Sequence, residues 1–115
     1  MKAIPLFSIL IVILFGFSER VQGQKIFSCD NKYDADFIVF VTENKYDADL
    51  WVFKVESKYD AEGNKGHWFF TENKYDADKK IYFTDNKYDA NLLIYFSESK
   101  YEANWRKRAK MHLLF

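Results

Sequence analysis

The chain has 115 residues, 17 basic and 17 acidic side chains for a formal net charge of zero, 20% aromatic residues and one cysteine. The even charge balance gives no electrostatic footprint for a nucleic-acid partner. The lone Cys29 excludes an intramolecular disulfide.

The first predicted element is an export signal. Lys2 precedes an almost unbroken apolar run from Ile4 to Phe17. That run is short for a bilayer span, which needs roughly 20 apolar residues, and suits the hydrophobic region of a signal peptide. Val21 and Gly23 stand three and one residues before a cut that leaves Gln24 first. The competing reading is an uncleaved anchor. Residues 1–23 are therefore expected to be a signal peptide and 24–115 a single small repeat domain, exported to the periplasm or outside the cell.

From there a thirteen-residue unit repeats six times. Its tyrosines are Tyr33, Tyr46, Tyr59, Tyr75, Tyr88 and Tyr101, spaced by 13, 13, 16, 13 and 13 residues. A fixed period implies units that cannot bury their apolar faces alone. An incomplete unit, Ile26-Phe27, comes first. The apolar cores that follow are Phe37–Val41, Leu50–Phe53, Trp68–Phe70, Ile81–Phe83 and Leu92–Phe96. They are short, rich in β-branched and aromatic residues and bounded by Asn, Asp and Ser, which marks strands rather than helices. One face (Phe37, Val39, Val41; Leu50, Val52; Trp68, Phe70; Ile81, Phe83; Leu92, Ile94, Phe96) reads as core. The other carries an aromatic at its centre in each unit: Phe27, Phe40, Phe53, Phe69, Tyr82 and Tyr95. It reads as an outer, half-covered face.

Each linker contains Asn or Ser followed three residues later by Asp or Glu, from Asn31 and Asp34 to Ser99 and Glu102. This fits a capping box around one short helical turn at Lys-Tyr-Asp-Ala. The alanine, Ala35 through Ala103, never varies, so a tight site is expected there. Cys29 occupies the place of Thr42, Thr71, Thr84 and Ser97 and is expected to be semi-buried. A connector of about seven residues is too short for a crossover between neighbouring parallel strands. The expected fold is therefore all-β, most readily a β-roll or solenoid with two units per coil. The alternative is an antiparallel meander that closes into a small barrel or dimerises. The longer spacing holds Gly63-Asn64-Lys65-Gly66 and divides the array into two sets of three. At the C-terminus residues 104–115 replace a strand core with Arg106, Lys107, Arg108 and Lys110. They read as a cap with a polar outer face, the rival being a basic patch for anionic glycans, lipid headgroups or an acidic partner.

The tandem Lys-Tyr-Asp-Ala-Asp units, the core Lys80-Ile81-Tyr82-Phe83 and the ending Ala103-Asn104-Trp105-Arg106 … His112-Leu113-Leu114-Phe115 resemble a family of small exported bacterial repeat proteins classed as a domain of unknown function. The resemblance implies a bacterial origin and an envelope or extracellular location, and supplies no catalytic residues.

Candidate chemistry is sparse. Asp34 and Asp36, Asp47 and Asp49, Asp60 and Glu62, and Asp76 and Asp78 recur as paired carboxylates of the kind that bind Ca²⁺ in β-rolls. The Gly-rich turns of such sites are missing, a Lys adjoins each unit, and Asn91 and Asn104 replace the second acid. Asp34, Asp36, Asp47, Asp49, Asp76 and Asp78 are therefore weak metal candidates, and no cofactor is expected. Trp51, Phe53, Tyr82 and Tyr95 form a candidate ligand platform for sugars or peptides. His67 and His112 are the two histidines, and no phosphate loop, zinc spacing or nucleophile elbow occurs. The reading is a non-enzymatic structural or interaction module, with a carbohydrate- or calcium-binding repeat module as the alternative. Its partner would be a protein or glycan, and open sheet edges would favour self-association by strand addition.

Overall fold

The structure, a computed structural model, describes residues 24–114; the expected signal peptide and its cut lie outside them. Six strands carry the repeat cores: β1 (Lys25–Ser28), β2 (Phe37–Val41), β3 (Leu50–Lys54), β4 (His67–Phe70), β5 (Lys79–Phe83) and β6 (Leu92–Phe96), followed by a short β7 (Asn104–Trp105). The molecule is all-β, with a repeated strand-and-turn pattern. Its organisation is not the expected roll; it closes into a small barrel, as the alternative held, but with parallel strands in place of an antiparallel meander. Strands run in the order β4-β1-β5-β2-β6-β3, and a further β4–β3 pairing closes the ring. All six of these pairings are parallel. The result is a closed parallel barrel around which the chain winds twice. Strands β1–β3 make one circuit, β4–β6 the second, and the two interleave.

The register explains how so short a connector suffices. Val41, the last residue of β2, pairs with Ile94 in the middle of β6, and Ile94 pairs on its other side with Leu50, the first residue of β3. Ser28, Ile81 and Phe37 form the same kind of row, as do Phe70, Ile26 and Lys79, and Phe83, Val39 and Leu92. Each strand thus starts level with the point where its predecessor ended. The chain never travels back along the barrel. It only has to cross one intervening strand, two strand spacings or roughly 9–10 Å. The crossover rule for parallel neighbours does not apply, because consecutive strands are staggered and not adjacent. The one exception is β3 to β4, which are neighbours and are joined by the Gly63–Gly66 insertion.

Alternation along the strands places the predicted core face inside. A middle layer takes one residue from each strand (Ile26, Val39, Val52, Trp68, Ile81 and Ile94), each fully buried. Below it Phe37, Leu50 and Leu92 are buried at the strand starts, with Trp105 and Leu114 closing that end. β7 pairs antiparallel with Leu50 and Trp51 of β3, below the point where β4 joins it at Phe53 and Lys54. It fills the seam that β4 leaves open. Closure pairs each of the six ring strands on both sides, and among the described residues the two-residue β7 has β3 as its single partner. The six outer-face aromatics are half-buried, as read from the sequence.

Connectors are built to one pattern. In five of them a 3-10 turn spans Lys-Tyr-Asp, from Lys32–Asp34 to Lys87–Asp89, and the preceding Asn or Ser accepts a hydrogen bond from the tyrosine N–H. The capping residue is therefore as expected. The expected return bond from the acid is replaced by a different donor-acceptor pair. The N–H of Asn44, Asn73, Asn86 and Ser99 donates instead to the hydroxyl two residues earlier, on Thr42, Thr71, Thr84 and Ser97. A Ser or Thr hydroxyl closes such a turn with less chain than an acid three residues on. The alanine is fully enclosed only at Ala48 and Ala61; elsewhere it is half-buried.

Cys29 stands where the other turns have a hydroxyl and is buried. Burial pushes its thiol above the ordinary value, and the carboxylate of Asp34 adds to the effect. Cys29→Thr is expected to stabilise the fold by about 0.5–1 kcal/mol, by giving the Asn31 N–H the hydroxyl acceptor of the sister turns. A thiol held neutral in the folded state destabilises that state once pH exceeds the unfolded value, about 8.5. The advantage of the Thr variant should therefore widen at alkaline pH. Urea titrations of both proteins at pH 7 and pH 9.5 check both statements.

Candidate interaction surface

The connectors lie over the outside of the strands they cross, and in four of them the second acid of the repeat, or the Asn in its place, fastens the crossing. The Asp49 N–H donates to the Leu93 carbonyl (2.7 Å), and its Oδ2 accepts from the Leu93 N–H (2.8 Å). Asp36 brackets Lys80 and Asp78 brackets Lys25 in the same way. Asn91 does so to Ile38. Only an acceptor oxygen is needed, which is why Asn replaces Asp there. The weak metal candidates Asp36, Asp49 and Asp78 thus each have one carboxylate oxygen bonded to backbone. Asp34, Asp47 and Asp76 sit in the turns, with Asp76 paired to Lys25 at 3.2 Å. Among the described residues, no group of three or more His, Cys, Asp or Glu side chains is placed to hold a metal ion.

Asp49 carries a second duty. It is 1% exposed, and Lys110 and Lys107 approach its carboxylate at 3.1 and 3.3 Å. Its carbonyl accepts from the N–H groups of Arg106 and Lys107. The Arg106 guanidinium stacks 4.8 Å from the Trp51 ring centre. Of the basic stretch at the C-terminus, Arg106, Lys107 and Lys110 thus each contact Asp49 or Trp51 while staying at the surface. Asp49→Ala should cost about 2–3 kcal/mol, since it strands the Leu93 N–H and a hydrogen bond to a charged group is lost. Asp49→Asn, which keeps one acceptor, should cost about half that. Chemical denaturation of the two variants separates the backbone bracket from the ion pairs.

What faces solvent is the tyrosine of every repeat. Tyr33, Tyr46, Tyr59, Tyr75, Tyr88 and Tyr101 are between 76% and 90% exposed. Five have the preceding lysine ammonium 5.2–5.5 Å from the ring centre. The sequence signal for these rings was present, in the invariance of Tyr across six units, but it pointed equally to a packing role.

Two grooves open between connectors at positions related by the repeat. One, of about 470 Å³, has Phe53 on its lining with Lys100, Tyr101 and Asp60. The other, of about 400 Å³, has Tyr82 with Lys32, Tyr33 and Asp89. Each combines a strand aromatic, an exposed Lys-Tyr pair from the connector crossing that strand and an Asp from the strand's own following turn. Of the predicted platform, Phe53 and Tyr82 belong to these grooves. Trp51 and Tyr95 do not join them. They meet edge to face at 6.3 Å, and the Trp51 Nε1–H donates to the Lys45 carbonyl. With Lys45 and Arg106 both over its ring, Trp51 is a packing residue.

The family described as the 7(1) septoil knot domain matches residues 23–106. That description fits a chain that encircles one axis twice with interleaved circuits. No curated protein and no solved structure gave a significant match.

Proposed function

The chain belongs to the septoil knot domain family, and on that footing we propose that it is a rigid, non-enzymatic interaction module, exported into or beyond a bacterial envelope, which presents its repeated tyrosines to a partner. The observation that carries this reading is the exposure of all six rings. A ring that solvent reaches over most of its surface adds little to folding, since hydrophobic stabilisation follows area removed from water. The fold therefore accounts for the capping Asn or Ser of each turn and for the second acid or Asn of four connectors, and gives the tyrosine no comparable packing role. Tyrosine supplies contact area at low conformational cost and is favoured at interfaces for that reason. Five copies on 3-10 turns of one pattern and a sixth on the Tyr101 turn suit a repetitive target through avidity. The apolar start of the chain supports export.

The two grooves favour a second reading, a carbohydrate-binding module. An aromatic for stacking, a Lys and an Asp converge in each, which is the chemistry a sugar ring and its hydroxyls require. The test is one pair of proteins: the wild type and a variant with all six repeat tyrosines replaced by serine. The variant should melt within a few degrees of the wild type and lose saturable binding to envelope fractions. Binding that survives in the variant would defeat the tyrosine reading. Glycan arrays then decide the class of partner, with Phe53→Ala and Tyr82→Ser expected to abolish any sugar signal.

A further inference from the structure

The strand-end mouth of the barrel forms a second surface, built from the inward positions at the last residue of each strand. In repeat order these are Ser28, Val41, Lys54, Phe70, Phe83 and Phe96. The middle layer beneath is apolar in every strand, whereas this layer breaks the pattern with one cation. Phe70 lies 6.2 and 6.3 Å from the ring centres of Phe83 and Phe96. The buried Trp68 meets Phe70 from below at 6.0 Å. Val41 is 37% exposed. Together with Lys54 these side chains line an open depression of about 310 Å³ with little polar surface. The Lys54 ammonium leans over the cup, 4.4 Å from the Phe96 ring centre and 5.7 Å from that of Phe70. Among the described residues no carboxylate comes within 4 Å of it.

We propose that this mouth is a binding site for a small apolar monocarboxylate, an alkyl tail seated on the phenylalanines with its carboxylate on Lys54. Three observations select that occupant. The cup is apolar and aromatic, so it recognises hydrocarbon. It has a single charge, placed on the lip, so it recognises one anionic group at the end of that hydrocarbon. The volume lies at the lower end of small-ligand pockets. A second copy of the chain is disfavoured, because mouth-to-mouth contact would bring two Lys54 ammonium groups together without a counter-charge. The site lies inside the strand ends, apart from the tyrosines on the outer turns, so it does not depend on the function proposed for them.

The test titrates the full chain with hexanoate, octanoate and octanol by calorimetry and by amide shift mapping. Octanoate should bind one to one, with shifts at Val41, Phe83 and Phe96. Affinity should rise about fourfold for each methylene added between hexanoate and octanoate, as burial of hydrocarbon requires. Lys54→Met, which keeps the apolar stem, should weaken octanoate roughly tenfold or more while changing octanol by no more than about twofold. No saturable binding of octanoate at millimolar concentration would overturn the proposal. So would shifts centred on the tyrosine turns, or a Lys54→Met loss equal for acid and alcohol. Because Lys54 is exposed on the lip, the variant is expected to fold, and its melting curve confirms that.

Discussion

Trp68→Ala is expected to destabilise the protein by about 3–5 kcal/mol, the range for removing a large buried aromatic that leaves a cavity. Trp68 is the largest side chain of the middle layer and is completely buried. Its five counterparts there are Ile or Val, so no neighbour is long enough to fill the space. The ring also supports Phe70 edge to face, an arrangement with its own contribution. Its Nε1–H has no hydrogen-bond partner in the barrel, so Trp68→Phe, which removes that buried donor, should cost much less than the alanine change. In a domain of this size each kcal/mol moves the midpoint by about 4–8 °C, so thermal melts followed by circular dichroism resolve the two variants.

Gly66→Ala is expected to cost about 2–4 kcal/mol, from two sources that act together. Gly66 has φ of 91°, where an L side chain is strained, and a Cβ there would fall 2.5 Å from the Trp51 carbonyl oxygen. That oxygen belongs to the backbone of β3 and cannot move aside without breaking the barrel wall. The Gly66 carbonyl meanwhile accepts from the Phe53 N–H at 2.8 Å. Gly63 is the control. It too has positive φ, but a Cβ there meets only the flexible Lys65 side chain, at 3.8 Å. Gly63→Ala should therefore show the backbone strain alone, about 1–2 kcal/mol. Equal losses at the two glycines, measured by urea denaturation, would mean that the close approach at β3 is unimportant.

The contrast between these residues shows what the sequence could and could not convey. Strand positions, the inward face and the half-covered aromatics were legible because alternation and the thirteen-residue period are local signals. The turn at Lys-Tyr-Asp was legible from its Asn cap. Pairing was not. Leu50 pairs with Ile94, and Phe37 with Ile81, partners that lie three repeats apart. Nothing in a periodic sequence distinguishes the next unit from the one three further on. The decisive quantity was the stagger between strands, which turns a connector too short for a return path into one long enough for a sideways step. The second acid showed the same gap. Asp49 counted among the weak metal candidates, while its bond to the Leu93 backbone leaves no trace in the sequence. The barrel mouth went unseen because its cup is assembled from residues of five different repeats.

The interleaving has a consequence for how this chain comes into being. No strand of the first circuit pairs with another of that circuit; β1, β2 and β3 find their partners only among β4, β5 and β6, apart from the seam filled by β7. In a solenoid a growing chain consolidates unit by unit. Here the amino-terminal half has nothing to zip against until the carboxyl-terminal half has been synthesised, and contacts so distant make for slow assembly. The ribosome releases a nascent polypeptide that stays threadable until late, and a truncation after Lys65 should give a product with no more structure than a peptide.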